Sequence, residues 1–138
     1  MKNYDKNIPL LETVKLDKFF KVSQGTLKAV NGVSLEIERG KTLGLVGESG
    51  CGKSTLGKTI LRIYEPTGGE VHFNGENILA YNRSMMKKFQ AQAQMIFQDP
   101  NSSINPRMSV SETIVDPIIV NKLATSKAER QVRVNTFW

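Results

Sequence analysis

Eight consecutive positions concentrate the chemistry of this sequence: Gly47-Glu48-Ser49-Gly50-Cys51-Gly52-Lys53-Ser54. They match G-x-x-x-x-G-K-[ST] at every specified position. Glycines let the backbone curl until successive N–H groups point inward at a phosphate. A helix beginning near Gly52 would add its positive dipole end. In that arrangement Lys53 reaches the β- and γ-phosphates and the Ser54 hydroxyl ligates Mg²⁺, while Thr55 offers a further hydroxyl for the α-phosphate. The pattern predicts a nucleotide site for ATP and Mg²⁺, lined by Gly47, Glu48, Ser49, Gly50, Cys51, Gly52, Lys53, Ser54 and Thr55. Cys51 lies beside Lys53 near the expected helix start, and both features favour a thiolate. The plainer reading of Cys51 is a small side chain at a tolerant position.

Such a loop needs a strand before it and a helix after it. Thr42-Leu43-Gly44-Leu45-Val46 is a short apolar run without alternation, which predicts a strand covered on both faces, as in a parallel sheet. After the loop, Leu56, Ile60 and Ile63 fall on one face of a helix running from Lys53 to Ile63. Upstream, Val14, Leu16, Phe20 and Val22 alternate within Thr13 to Val22, and Val33, Leu35 and Ile37 alternate within Val30 to Ile37. Gln24-Gly25 separates the two segments, so antiparallel pairing is expected. Glu70-Val71-His72-Phe73 reads as a strand followed by an Asn74-Gly75 turn. Arg83 to Gln92 reads as a short helix, Gln94 to Phe97 as a buried strand, and Asp99 to Arg107 as a loop. Two helices follow, about Val110 to Leu123 and from Ser126 onward, with Ser126 as N-cap. Residues 1–12 read as a lead-in.

Composition removes other classes. The chain has 138 residues, enough for one small domain with a core. Its net charge of +6 is spread over scattered lysines and arginines with no aromatic-interleaved basic stripe, so no nucleic-acid partner is expected. The single cysteine excludes an intramolecular disulfide and a cysteine-cluster metal site, and the single histidine, His72, excludes a histidine pair. His72 reads as a surface residue of its strand. No apolar run approaches the roughly 20 residues that span a bilayer, and Ile8-Pro9-Leu10-Leu11 is too short for a signal-peptide core. A cytoplasmic location is the default expectation.

With these residues in view the chain resembles the ATP-binding subunits of ABC transporters, and within them the oligopeptide/dipeptide (peptide/nickel) importers. The resemblance rests on Leu45 to Thr55, on Ala29-Val30-Asn31-Gly32-Val33-Ser34-Leu35 upstream, and on Tyr64-Glu65-Pro66-Thr67-Gly68-Gly69-Glu70 with Phe73-Asn74-Gly75 downstream. Its most specific element, Phe97-Gln98-Asp99-Pro100-Asn101-Ser102-Ser103-Ile104-Asn105-Pro106-Arg107-Met108, is similar to the subfamily's Q-loop. The resemblance implies that Gln98 senses Mg²⁺ and the attacking water, a task suited to a carboxamide that both accepts and donates. It also implies an aromatic stacked on adenine, with Phe20 the best match by spacing and Phe19 next. Both rings could equally be core.

The resemblance further implies an α/β fold: a P-loop NTPase core with parallel strands and an N-terminal antiparallel β-layer. Residues 13–138 would form a partial ABC ATPase domain. The family's Leu-Ser-Gly-Gly-Gln signature, Walker B carboxylates and switch histidine do not occur here. Ile114-Val115-Asp116 mimics a Walker B end, but the following Pro117 makes a poor strand. Residues 134–138 also drift from the family's continuation, as in a truncation. The expected function is ATP binding in a peptide importer, without hydrolysis by this chain alone. Expected partners are transmembrane permease subunits and a second, homologous ATPase in a head-to-tail dimer, which would place the chain on the inner face of the cell membrane. Two rivals stand beside it: a non-transport ABC or other P-loop NTPase, and a non-catalytic nucleotide-binding remnant that pairs with a full-length homologue. An exposed sheet edge and apolar surface are expected.

Overall fold

The computed structural model describes residues 8–98, 104–121, 123–124 and 126–135. The chain forms two compact units, Met1–Met95 and Ile96–Trp138. In the first, strand β1 (Leu11–Val22) pairs antiparallel with β2 (Gly25–Ile37) on one side and β3 (Gly68–Phe73) on the other. A short β4 (Glu76–Asn77) completes the order β2-β1-β3-β4. The β1–β2 hairpin and the Asn74-Gly75 turn agree with the alternation and turn signals. Asn74 and Gly75 take φ of 54° and 79°, the left-handed pair that a tight two-residue hairpin turn requires. Strand β1 starts at Leu11 rather than Thr13, because Leu11 is buried and pairs with both Ile37 and Phe73.

The simple alternation expected in β1 does not hold. Lys15 adopts φ 46° and the register shifts around it. Thr13 and Leu16 are thereby both buried, while Val14 turns outward. A bulge of this kind inserts a residue and flips the side-chain phase beyond it. Opposite it, Gly69 has φ 81°, and a Cβ there would lie 2.3 Å from the Lys15 carbonyl oxygen, so glycine is required. Thr13 bridges the irregular ladder to β2: its hydroxyl donates to the Val33 carbonyl and accepts from the Leu35 N–H, each at 3.1 Å.

Helix α1 (Lys53–Ile60) follows the glycine loop. It is shorter than expected: Leu56 enters the core, but Arg62 at φ 55° breaks the helix, and Ile63 is exposed. Helix α2 (Arg83–Gln92) agrees with its sequence reading and is capped by Asn82, whose side chain accepts from the Ser84 and Met85 N–H groups at 3.0 Å. Phe89 of α2 is buried against Phe73 and Tyr81, both edge-on, in a core that includes Leu16, Leu56, Val71 and Ile78.

Thr42 to Val46 and Gln94 to Phe97, expected as buried strands, form no strand. Val46 is 96% exposed and Ile96 95%. A strand covered on both faces must place its N–H and C=O groups in ladders on its edges. No strand lies alongside either segment among the described residues, so the ordered sheet is antiparallel throughout. Apolar exposure at Leu43, Leu45, Val46, Ile96 and Phe97 agrees with the expected open surface.

In the second unit, helices α3 (Val110–Val120) and α4 (Lys127–Asn135) pack through Ile118, Ala124 and Val134. Ser109 and Glu112 form a reciprocal capping box, and Ser126 accepts the Glu129 N–H as an N-cap does. Helix α3 stops at Val120 rather than reaching Leu123, and Asn121 closes it through the Pro117 carbonyl. Ile114, Val115 and Asp116 lie within α3, so they do not end a strand. No described helix is long and apolar enough to cross a membrane.

Tyr81 supplies a probe of the first unit. Its hydroxyl donates to the Glu76 carboxylate at 2.7 Å. Partial burial, then that hydrogen bond and the nearby charge, push its phenol from 10.0 up to about 12. The folded state therefore holds this proton more tightly than the unfolded chain. Its contribution is complete below pH 10.0 and is lost as pH rises through about 12. Absorbance titration at 295 nm is expected to show one tyrosine ionising near pH 12, and Glu76→Gln to lower that midpoint. A folded protein whose tyrosines all ionise near pH 10 contradicts this contact.

Candidate functional site

The glycine loop is seated on the β1–β2 hairpin by a contact that admits no side chain. Gly52 caps α1 with φ 98°, and a Cβ there would lie 2.2 Å from the Ala29 carbonyl oxygen of β2. Gly50 also takes a left-handed conformation, φ 82°. Gly47 closes on Cys51, with its Cβ position 2.8 Å from the Cys51 Sγ. The curl expected from the glycine spacing is thus formed, and the chain leaves it directly into α1.

Lys53, the first residue of α1, turns back over the loop. Its ammonium donates to the carbonyls of Gly47 at 2.7 Å and Glu48 at 2.5 Å, and lies 3.5 Å from the Cys51 Sγ. The charge is therefore held by carbonyls of the loop itself, and the loop leads into a helix whose first N–H groups have no intrahelical acceptor. Ser54 is exposed and Thr55 half-buried, with the Thr55 carbonyl accepting from the Thr59 hydroxyl at 2.7 Å. An ammonium, free helical N–H groups and an exposed hydroxyl within three residues form a donor set suited to a polyphosphate and its metal. Cys51 is a free, exposed thiol. Glu48 and Ser49 are exposed.

The structure locates the other expected site residues differently. Phe20 is half-buried on β1, where it pairs with Leu27. It lies edge to face with Tyr64, ring centroids 5.5 Å apart. The Lys18 ammonium lies 4.9 Å from the Phe20 ring centre. Phe19 instead faces Lys28, 5.5 Å away. Tyr64 carries no local signal that would mark it in the sequence, because its partner is 44 positions upstream. Gln98 is exposed and belongs to the second unit. Asp99 to Ser103, part of the Q-loop-like stretch, lie outside the described residues. His72, expected at the surface, is half-buried, and its Nε2 lies 2.7 Å from the Glu70 carboxylate.

A curled glycine loop closed by a lysine and running into a helix, on an antiparallel layer, has the form of a phosphate-binding loop. The family model "ABC transporter" matches residues 30–137, and the chain belongs to that family. It is 51% identical over 127 residues to the oligopeptide transport ATP-binding protein OppF of Bacillus subtilis strain 168, covering 91% of this chain and 42% of the relative. Against the dipeptide transport ATP-binding protein DppF of Escherichia coli K12 the identity is 40%, covering 89% and 39%. The chain thus spans about two fifths of the length of the curated relatives it matches. Among solved structures, the ATP-binding cassette MJ0796 bound to ADP and Pi superimposes with a TM-score of 0.75 at 26% identity, covering 91% of this chain and 54% of that one. The α/β cassette class and the kinship with peptide-importer ATP-binding subunits agree with the sequence reading.

The seating of the loop is directly testable. Gly52→Ala adds a Cβ against the Ala29 carbonyl at a positive φ, and strain of this kind costs about 1–3 kcal/mol. The expected result is a lower urea midpoint together with loss of ATP binding by titration calorimetry. Unchanged stability and affinity would show that the loop does not rest on Ala29.

Proposed function

We propose that this chain supplies the ATP-binding portion of an ABC-type importer ATPase that couples ATP binding and hydrolysis to uptake of oligopeptides or dipeptides. The observation that carries the reading is the Lys53 ammonium folded back onto the glycine loop and held by the Gly47 and Glu48 carbonyls. A phosphate chain entering the curl exchanges those neutral acceptors for charged ones, and charge-assisted hydrogen bonds are the stronger kind. Loop N–H groups from Gly47 to Gly52 and the first turn of α1 cradle the phosphates. Ser54 provides a hydroxyl to Mg²⁺, and Thr55 stands next to it for the α-phosphate. Phe20 provides the aromatic face for the base. Gln98, in the Q-loop-like segment, is assigned by the resemblance the roles of Mg²⁺ ligand and orienter of the attacking water.

Kinship with proteins named for oligopeptide and dipeptide transport supports the cargo class. The dimeric cassette among the structural neighbours supports pairing with a second ATPase subunit. In the intact transporter, ATP binding would close that pair and drive permease subunits, with the ATPase held on the inner face of the membrane through them.

Lys53→Ala removes at least one charged hydrogen bond of about 1.5–3 kcal/mol, so ATP affinity is expected to fall at least about 10-fold. Equal affinity of the variant and the parent by calorimetry would refute the phosphate role. Gln98→Ala, made in the intact ATPase, is expected to retain ATP binding while hydrolysis collapses. Normal turnover in that variant would remove Gln98 from the mechanism.

A further inference from the structure

The segment after α1 is fastened to β1 beside Phe20 by a set of bonds that do not involve the Phe20 ring. The Thr67 N–H donates to the Asp17 carbonyl at 2.9 Å, and the Phe19 N–H donates to the Thr67 hydroxyl at 2.9 Å. The Lys18 ammonium reaches the Glu65 carbonyl at 2.8 Å. On its other side, the Tyr64 N–H returns to the Lys58 carbonyl of α1 at 3.2 Å. Tyr64 is therefore tied both to the helix that follows the glycine loop and to the strand that bears Phe20. From this fixed backbone its ring meets Phe20 at 87°. Lys18 lies 4.9 Å from the Phe20 ring centre and 6.0 Å from that of Tyr64, and Lys58 lies 5.4 Å from the Tyr64 ring centre.

We propose that Tyr64 is a positioning residue for the nucleotide base: it braces Phe20 edge-on, holding that ring at a set distance from the phosphate loop. The proposal rests on the reading of Phe20 as the base-stacking residue. Phe20 pairs with Leu27, two positions along β2 from the Ala29 carbonyl on which Gly52 sits. Two strand residues advance about 7 Å, a separation that one nucleotide bridges. A T-shaped aromatic pair resists rotation of either ring, so a braced Phe20 presents a face without having to be ordered when the base arrives. Lys18 reinforces the same geometry, since it holds the Tyr64–Glu65 backbone and sits by the Phe20 ring at once. Tyr64 thereby links the base end of the site to α1, whose first turn serves the phosphate end.

The test compares two probes, ATP and inorganic tripolyphosphate, on the full chain by titration calorimetry. Tyr64→Ala is expected to weaken ATP binding about 3- to 10-fold, leave tripolyphosphate binding unchanged, and retain the far-ultraviolet circular dichroism of the parent. Tyr64→Phe keeps the ring and is expected to restore ATP affinity, whereas Tyr64→Leu, of similar bulk but not aromatic, is not. Phe20→Ala should weaken ATP and spare tripolyphosphate. If Phe20→Ala lowers ATP affinity and Tyr64→Ala does not, the bracing role is overturned while the Phe20 reading stands. If Phe20→Ala leaves ATP affinity intact, the stacking reading fails and the bracing role with it. Equal loss of both probes in Tyr64→Ala, or full restoration by Tyr64→Leu, would make Tyr64 a packing residue and overturn the proposal.

Discussion

No side chain fits between Gly52 and strand β2, and the geometry of the glycine loop depends on that close approach. With only hydrogen on Gly52, the loop can lie against the Ala29 carbonyl, and α1 starts at a fixed point over the hairpin. Leu56, one turn into α1, then reaches the core beside Leu16 and Val30. The same contact sets where Lys53 stands, because Lys53 is the residue after Gly52. A backbone-to-backbone contact of this kind is stiffer than side-chain packing, since neither partner has a rotamer through which to yield. The glycine loop is thus referenced to β2 and, through the hairpin, to Phe20 on β1.

Much of this was legible in the sequence where the cause is local. The glycine and lysine spacing announced the loop, Asn74-Gly75 announced its turn, and Arg83 to Gln92 has the bounds of a helix that Asn82 caps. What stayed illegible arises between distant segments. The bulge at Lys15 has no signal of its own in β1, because the residue that permits it, Gly69, lies on β3. Thr13 looks like an ordinary strand threonine until β2 places Val33 and Leu35 on either side of its hydroxyl. The Phe20–Tyr64 contact is of the same type. For Gln98 and the loop after it, the resemblance named a role that no local physics could supply, and that role remains a proposal.

The two segments expected as parallel strands show how pattern and context divide the labour. Leu43, Leu45 and Val46 have the apolar character of a doubly covered strand, but apolar character only states a preference for burial. A strand also needs hydrogen-bonding neighbours, and the described sheet offers them only to the N-terminal layer. With both edges unpaired, the residues before the loop stay irregular even though the loop itself curls. The seat on Ala29 comes from the antiparallel layer, so the loop's geometry does not wait on a strand at Thr42 to Val46.

That independence bears on how the site can bind. The Lys53 ammonium already has the Gly47 and Glu48 carbonyls as partners, so the charge is not left without acceptors. Binding is then an exchange of partners, and affinity reflects only the difference between carbonyl and phosphate acceptors. The exchange favours phosphate because its oxygens carry formal charge and because the helix N-terminus adds its dipole to the ammonium. Carbonyls that hold Lys53 beforehand also reduce the conformational freedom lost on binding, since a long lysine side chain is otherwise among the costliest to order. Lys53 and Phe20, the residues proposed for the phosphate and base ends, are each held by contacts within the first unit, which is the condition for a preorganised site.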